Sequence, residues 1–122
     1  MRGNHVPTIT ELLHANLHDV FGNRDATARR EAIERVYAED VVFTDPEGAV
    51  TGWDALEAKA AGLVDDAPES FAFAEVGPAY LGAGSGALAW TFGPEGAPVA
   101  RGVDVIEVRE GRIASLLTLI AD

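Results

Sequence analysis

The sequence predicts an α+β fold with its helices collected on one side of a sheet. Three observations carry this. Apolar residues recur at helical spacing through the first third of the chain, and strand-like runs separated by glycine-containing turns fill everything after Pro68. Between the two regions stand a short strand pair and an alanine-rich helix. A single core commonly serves about 100–150 residues, so at 122 residues the chain reads as a short tail over 1–8 and one domain over 9–122.

The first helix is expected from Thr10 to Phe21, because Ile9, Leu12, Leu13, Leu17 and Val20 fall on one side at 100° per residue. Asn16 lies in the middle of that apolar stripe, and Gly22-Asn23 supplies the stop. A second helix is expected from Ala26 to Ala38, capped by Asp25 or Thr27, with Ile33, Val36 and Tyr37 buried and Arg29, Arg30, Glu34 and Glu39 facing water. Val41 to Asp45 then alternates as a strand, and Pro46-Glu47-Gly48 turns it back. Gly52-Trp53-Asp54 leads into the third helix, which ends near Leu63 before Asp65-Asp66-Ala67-Pro68.

Four strands follow, from Phe71 to Val76, Leu88 to Phe92, Val99 to Arg109 and Ile113 to Ile120, the last three as an antiparallel meander. Gly82, Gly84 and Gly86 sit in a hairpin turn and precede no helix, which argues against a phosphate-cradling loop. Both faces of the last two strands are apolar. Ile106 and Val108 share one face of their strand with Gly102 and Asp104, while Val103 and Val105 lie on the other. Three helices can cover one face of the sheet only, so the outer face is expected to be buried by a second copy in a homodimer.

Twenty acidic against nine basic residues give a formal charge of −11. A surface of that sign repels nucleic acid and anionic membranes, both of which attract Lys and Arg. The expected partner is therefore a small molecule or another protein. With no cysteine, there is no disulfide framework, thiolate zinc site or cysteine nucleophile. No run of about 18 apolar residues and no signal-peptide core is present, and the expectation is a soluble, cytoplasmic protein. No cofactor motif appears. His14 and His18 have the spacing of a two-histidine metal half-site but lie off the apolar stripe, so a solvated pair is the plainer reading and no metal is expected.

Two aspartates stand out because their neighbours in phase are apolar. Asp45 follows Val41 and Phe43, and Asp104 precedes Ile106 and Val108. A carboxylate on a core-facing position must be paired, hydrogen-bonded or protonated, and such groups serve as general acids and bases. The bland alternatives are that Asp45 caps its turn and that Asp104 pairs with Arg101 or Arg112. Tyr37, Phe43, Trp53, Phe71, Phe73, Trp90, Phe92 and Ile106 are candidate pocket walls, although aromatic residues in phase on strands are more often core. The Trp90 indole N–H needs a partner if buried.

The run Tyr37-Ala38-Glu39-Asp40-Val41-Val42-Phe43-Thr44-Asp45-Pro46-Glu47-Gly48, followed by Gly52 and Ala55-Leu56, resembles the helix-to-strand signature of the nuclear transport factor 2-like superfamily. Gly102 to Ile113 is similar to the closing hairpin of its SnoaL-like and ketosteroid-isomerase-like branches. The resemblance implies a cystatin-like α+β roll, in which a curved antiparallel sheet wraps a long N-terminal helix into a cone with an apolar pocket. It implies Asp45 as general base and Asp104 as the protonated partner of an oxyanion hole. The tyrosine of that hole has no counterpart here, since Asn16 or Leu17 falls on its position, and Asn16 is the candidate donor.

The expected function is cofactor-free acid/base proton transfer next to a carbonyl, as isomerisation or aldol-type cyclisation, on a small apolar or carbonyl-containing molecule. A non-catalytic binding or dimerisation module of the same fold is the rival. An epoxide hydrolase using Arg101 with Asp104 stands third, and it would need a bulge at Gly102 to bring the two side chains to one face.

Overall fold

A computed structural model describes residues 5–122; of the tail expected over 1–8, residues 1–4 lie outside it. Helix α1 (Ile9–Ala15) starts at Thr8 with a capping box, Thr8 Oγ1 accepting from Glu11 N–H at 3.0 Å and Glu11 Oε1 accepting from Thr8 N–H at 2.8 Å. That backbone bond holds the Glu11 carboxyl below its usual pKa. The helix then widens into a π turn (Asn16–Phe21), closed by Gly22 N–H donating to Leu17 O at 2.8 Å. Asp25 caps α2 (Ala26–Val36), accepting from Ala28 N–H at 3.1 Å.

Helix α2 stops two residues short of the expected Ala38. Tyr37 is extended, at φ −107° and ψ 149°, and opens strand β1 (Tyr37–Asp45). A β-favouring aromatic followed four residues later by Val41-Val42-Phe43 is pulled into the sheet rather than the helix. Strand β2 (Gly48–Thr51) returns antiparallel to β1, and α3 (Trp53–Asp66) runs three residues beyond Leu63. Strands β3 (Ala72–Gly82), β4 (Ser85–Gly93), β5 (Ala100–Arg109) and β6 (Arg112–Ile120) complete the chain.

The six strands form one curved, unclosed sheet in the order β2-β1-β6-β5-β4-β3. Every neighbouring pair is antiparallel except β1 and β6, which run parallel. The sheet is therefore mixed at one seam, where the resemblance implied an antiparallel sheet. Parallel neighbours need a long connection, and α3 with the intervening strands provides it. In the β5–β6 hairpin, Ile113 pairs with Val108 and Ser115 with Glu107, so Ala114 is an extra residue that shifts the register beyond it by one.

The core lies between helices and sheet. Leu12, Leu13, Leu17 and Val20, with Ile33, Val36, Leu56 and Ala60, pack against Leu88, Ile106 and Leu116. Gly86 belongs to β4 rather than to the turn, and a Cβ there would lie 2.5 Å from Ile9 Cγ2, so the missing side chain lets α1 cross the strand closely. Arg29, expected to face water, is buried, with Nη1 donating to Asn23 O at 2.8 Å. It stands four residues before Ile33 and hence on the same helix face. On the far side of the sheet Leu117 and Leu119 are exposed and Val103 and Val105 only half-buried.

Candidate active site

The strand alternation predicted for β5 is the one observed. Gly102, Asp104 and Ile106 are buried toward the helices, which puts a carboxyl group inside the fold. Three elements converge on it. From the π turn, Asn16 Nδ2 donates to Asp104 Oδ2 at 2.8 Å; from β6, Thr118 Oγ1 donates to Oδ1 at 2.8 Å. From the start of β1, the Tyr37 hydroxyl donates to Asn16 Oδ1. The chain Tyr37, Asn16, Asp104, Thr118 spans helix, sheet and helix–strand junction, and Asn16 and Tyr37 are wholly shielded from water.

Burial raises the Asp104 pKa above its ordinary value, because loss of hydration penalises the charged form more than the donors Thr118, Trp90 and Asn16 favour it. Burial likewise pushes the Tyr37 phenol well up, and the Asp104 charge adds to the effect. Tyr37 therefore stays a neutral donor. Trp90 stands beside Asp104 on the neighbouring strand, near enough for its indole to favour the carboxylate. Its N–H nevertheless makes no hydrogen bond of acceptable geometry and is a buried donor without a partner.

Asp104 and Thr118 form part of the wall of a cavity of about 560 Å³ between α3, the π turn and the sheet. The rest of the wall is mainly apolar. Leu17, Phe21 and Phe43 line one side, and Phe73, Trp90 and Phe92 the other, with Phe73 edge-on to Trp90 at 5.2 Å and tilted against Phe92 at 4.5 Å between ring centroids. Asp45 lies on the same cavity, 16% exposed, where Lys59 Nζ contacts its Oδ2 at 3.2 Å and Glu47 Oε1 at 2.7 Å. Hydrogen bonds to Glu47 and then Asp45 raise the Lys59 pKa, so the lysine remains charged. Asp45 Oδ1 also accepts from Glu47 N–H at 2.9 Å, capping the turn as its position before Pro46 allowed.

The cavity thus brings together Asp45, Asp104, Phe43, Phe73, Trp90 and Phe92 of the sequence-selected residues, and leaves Asn16, Tyr37, Trp53, Phe71 and Ile106 outside its lining. Asn16 spends its amide on Asp104 and Tyr37, so it supports the carboxyl group rather than presenting an N–H to the cavity. Tyr37 and Ile106 are core. Trp53 donates its indole N–H to Tyr37 O at 3.1 Å and lies under the Arg30 guanidinium. Of the two residues competing for the tyrosine position, Leu17 lines the cavity while Asn16 bonds Asp104.

Thr118 and Lys59 were not singled out by sequence. The hairpin turn at Glu110-Gly111, extended without a bulge, would set Leu117 opposite Asp104; the extra Ala114 brings Thr118 there instead. Lys59 is the one lysine of the chain, two turns after Gly52, a signal that carries weight only once α3 is known to cross Asp45. Arg101 is exposed on the other face of β5, with regular pairing at Gly102, so it does not join Asp104. His14 and His18 are about half-exposed and both reach Glu75 of β3, at 3.3 and 2.7 Å. Among the described residues, no group of three or more His, Asp or Glu side chains is placed to hold a metal ion. Nor, among the described residues, is any helix long and apolar enough to cross a membrane.

Solved structures share this architecture. A proposed isomerase of the SnoaL-like family from Agrobacterium tumefaciens superposes with a TM-score of 0.82 at 22% identity, covering 91% of this chain and 95% of that one. A proposed SnoaL-like polyketide cyclase from Jannaschia sp. gives 0.75 at 12% identity, over 97% and 91% of the two chains. A proposed ketosteroid isomerase from Kribbella flavida gives 0.70 at 16% identity, over 93% and 78%. At these identities the likeness establishes the fold. No curated protein sequence matches the chain. The family model for the SnoaL-like domain matches residues 14–116, from the first helix through Leu116 of β6, and the chain belongs to that family.

Proposed function

We propose that the protein is a small-molecule enzyme that moves a proton next to a carbonyl group, with Asp104 as acid and base. One observation carries the reading: a buried carboxyl group, held in place by Asn16 and Thr118 and with its pKa raised, stands in the wall of an otherwise mainly apolar cavity. A raised pKa lets one carboxyl group accept a proton from carbon and return it at near-neutral pH. A ligand that displaces water from the cavity strengthens the interaction of the carboxyl group with a developing enolate. Asn16 and Tyr37 act as positioning residues. Asp45, tied to Lys59 and to its own turn, is a second carboxylate at the cavity, where its charge is partly offset. The outer face of β5 and β6, with exposed Leu117 and Leu119, is the surface on which a second copy docks.

The test is exchange of the α-protons of 2-tetralone, a fused cyclic ketone, in deuterated buffer, followed by NMR. Wild type accelerates exchange over buffer, and Asp104→Asn lowers that acceleration by roughly 10²–10⁴-fold, the usual contribution of a general acid or base. Equal exchange in the two proteins removes Asp104 from the mechanism.

A further inference from the structure

Trp90 presents an anomaly that the acid/base reading leaves unused. It is 94% shielded from solvent (6% exposed), it lines the cavity, and its indole N–H has no hydrogen-bond partner. An unpaired buried donor is a cost to folding that most sites avoid. The fold nevertheless makes room for this ring specifically. Trp90 faces Gly102 across the β4–β5 pairing, and a Cβ on Gly102 would fall 2.4 Å from Trp90 Cζ2 and 2.5 Å from Leu119 O. Glycine is thus the residue that lets the indole pack closely against β5. Cζ2 is on the same side of the indole as Nε1, so seating that edge over Gly102 places the N–H next to Asp104, two residues along the same face of the strand.

Phe73 closes the ring from its own side, edge-on at 5.2 Å. The donor and the Asp104 carboxyl group therefore stand side by side on one cavity wall, and Phe73, packed against the indole, offers the N–H no acceptor. Thr118 Oγ1 gives its hydrogen to Asp104 and accepts none from the indole. We propose that Trp90 Nε1 is the donor that receives a ligand oxygen, so that the cavity takes a ring compound whose carbonyl, enol or phenol oxygen sits between Trp90 and Asp104.

The oxygen accepts from the indole N–H, and a hydroxyl form donates in turn to the carboxylate. This assignment rests on the cavity being a ligand site, and it does not require that Asp104 move a proton. It replaces the oxyanion donor for which Asn16 was the sequence candidate with a residue from the opposite side of the site. It also sets a chemical requirement on the ligand, since a hydrocarbon of the same shape would leave the N–H unpaired.

The experiment compares 2-naphthol with naphthalene, which lacks the oxygen, by calorimetry against wild type and Trp90→Phe. The ratio of the naphthalene to the naphthol dissociation constant is expected to fall about tenfold in Trp90→Phe, the worth of one buried hydrogen bond. In wild type labelled with ¹⁵N, the Trp90 indole N–H resonance moves downfield with 2-naphthol and not with naphthalene, while that of Trp53 stays. This second measurement stands if Trp90→Phe does not fold. An unchanged ratio, an unmoved Trp90 resonance, or failure of both probes to bind overturns the assignment. If 2-naphthol is held by Trp90 while Asp104→Asn leaves α-proton exchange unchanged, the donor stands and the proton-transfer reading falls; the reverse outcome removes Trp90 alone.

Discussion

Replacing Tyr37 with Phe removes one hydroxyl, and the structure says what that hydroxyl does. It donates to Asn16 Oδ1, and both side chains are fully buried at 0% exposure. In Tyr37→Phe the Asn16 carbonyl loses its donor where water cannot replace it, which costs ~1–3 kcal/mol. At about 2 kcal/mol and roughly 3–6 °C per kcal/mol for a chain of this length, Tm falls by roughly 6–12 °C. Asn16→Leu strands the Tyr37 hydroxyl and also withdraws one of the donors to Asp104, so it costs more, ~2–4 kcal/mol. In the double variant neither orphan arises between positions 16 and 37. The two single costs therefore exceed the double by about 1–2 kcal/mol. Urea unfolding of the four proteins at one pH measures this cycle. Additivity within ~0.5 kcal/mol, the behaviour of independent sites, would show that Tyr37 and Asn16 are not bonded and would dismantle the chain that holds Asp104.

Asp104 also makes stability depend on pH. Its folded pKa lies above the unfolded 3.8, so the native state holds its proton longer. Its contribution is full below 3.8 and is lost as pH rises through the folded pKa. Urea unfolding at pH 4 and pH 7 should therefore show wild type losing stability relative to Asp104→Asn as pH rises; a constant difference would contradict a raised pKa. Arg24 donates to Val64 O, Pro68 O and Phe71 O at 2.9, 2.8 and 3.1 Å, tying the end of α3 to the entry of β3. Arg24→Ala is expected to cost ~1–2 kcal/mol and to speed hydrogen exchange in residues 68–73 more than in β5. On the outer face, Leu119→Asp should abolish concentration-dependent association in sedimentation velocity while leaving the circular dichroism spectrum unchanged. Wild type that stays monomeric at high concentration would remove the docking role of that face.

The fold was legible where a local rule has one outcome. Alternation put Leu88, Trp90 and Phe92 on one face of β4, with the structure deciding that this face is the inner one, and turned Asp104 inward with Ile106 on β5; helical stepping put Asn16 in the buried stripe. Sequence failed where tertiary contacts choose between locally acceptable states. Tyr37 can end a helix or begin a strand, and the sheet decides. Thr118 reaches Asp104 through one bulged residue that no turn signal marks, and the parallel seam between β1 and β6 joins segments with α3 and four strands between them. Arg29 is a different case, since its spacing from Ile33 already placed it inward and its charge argued the other way. The same division runs through the site. Asp104 was visible because a carboxyl group among β-branched neighbours is costly, whereas Lys59 and Thr118 acquire meaning only from what they touch.

The edges of the sheet bear on how copies of this chain can meet. One edge is β2, four residues long, and the other is β3, whose pairing with β4 is interrupted between Val76 and Tyr80. There Gly77 turns to φ +72° and Pro78 has no N–H to offer an incoming strand. Edge pairing propagates, because each added strand exposes a fresh ladder, whereas face-to-face packing consumes the surface that drives it. A broken, proline-bearing border on one side and a four-residue strand on the other work against the growth of fibres by edge pairing, so the docking proposed for the outer face is the mode of association that terminates.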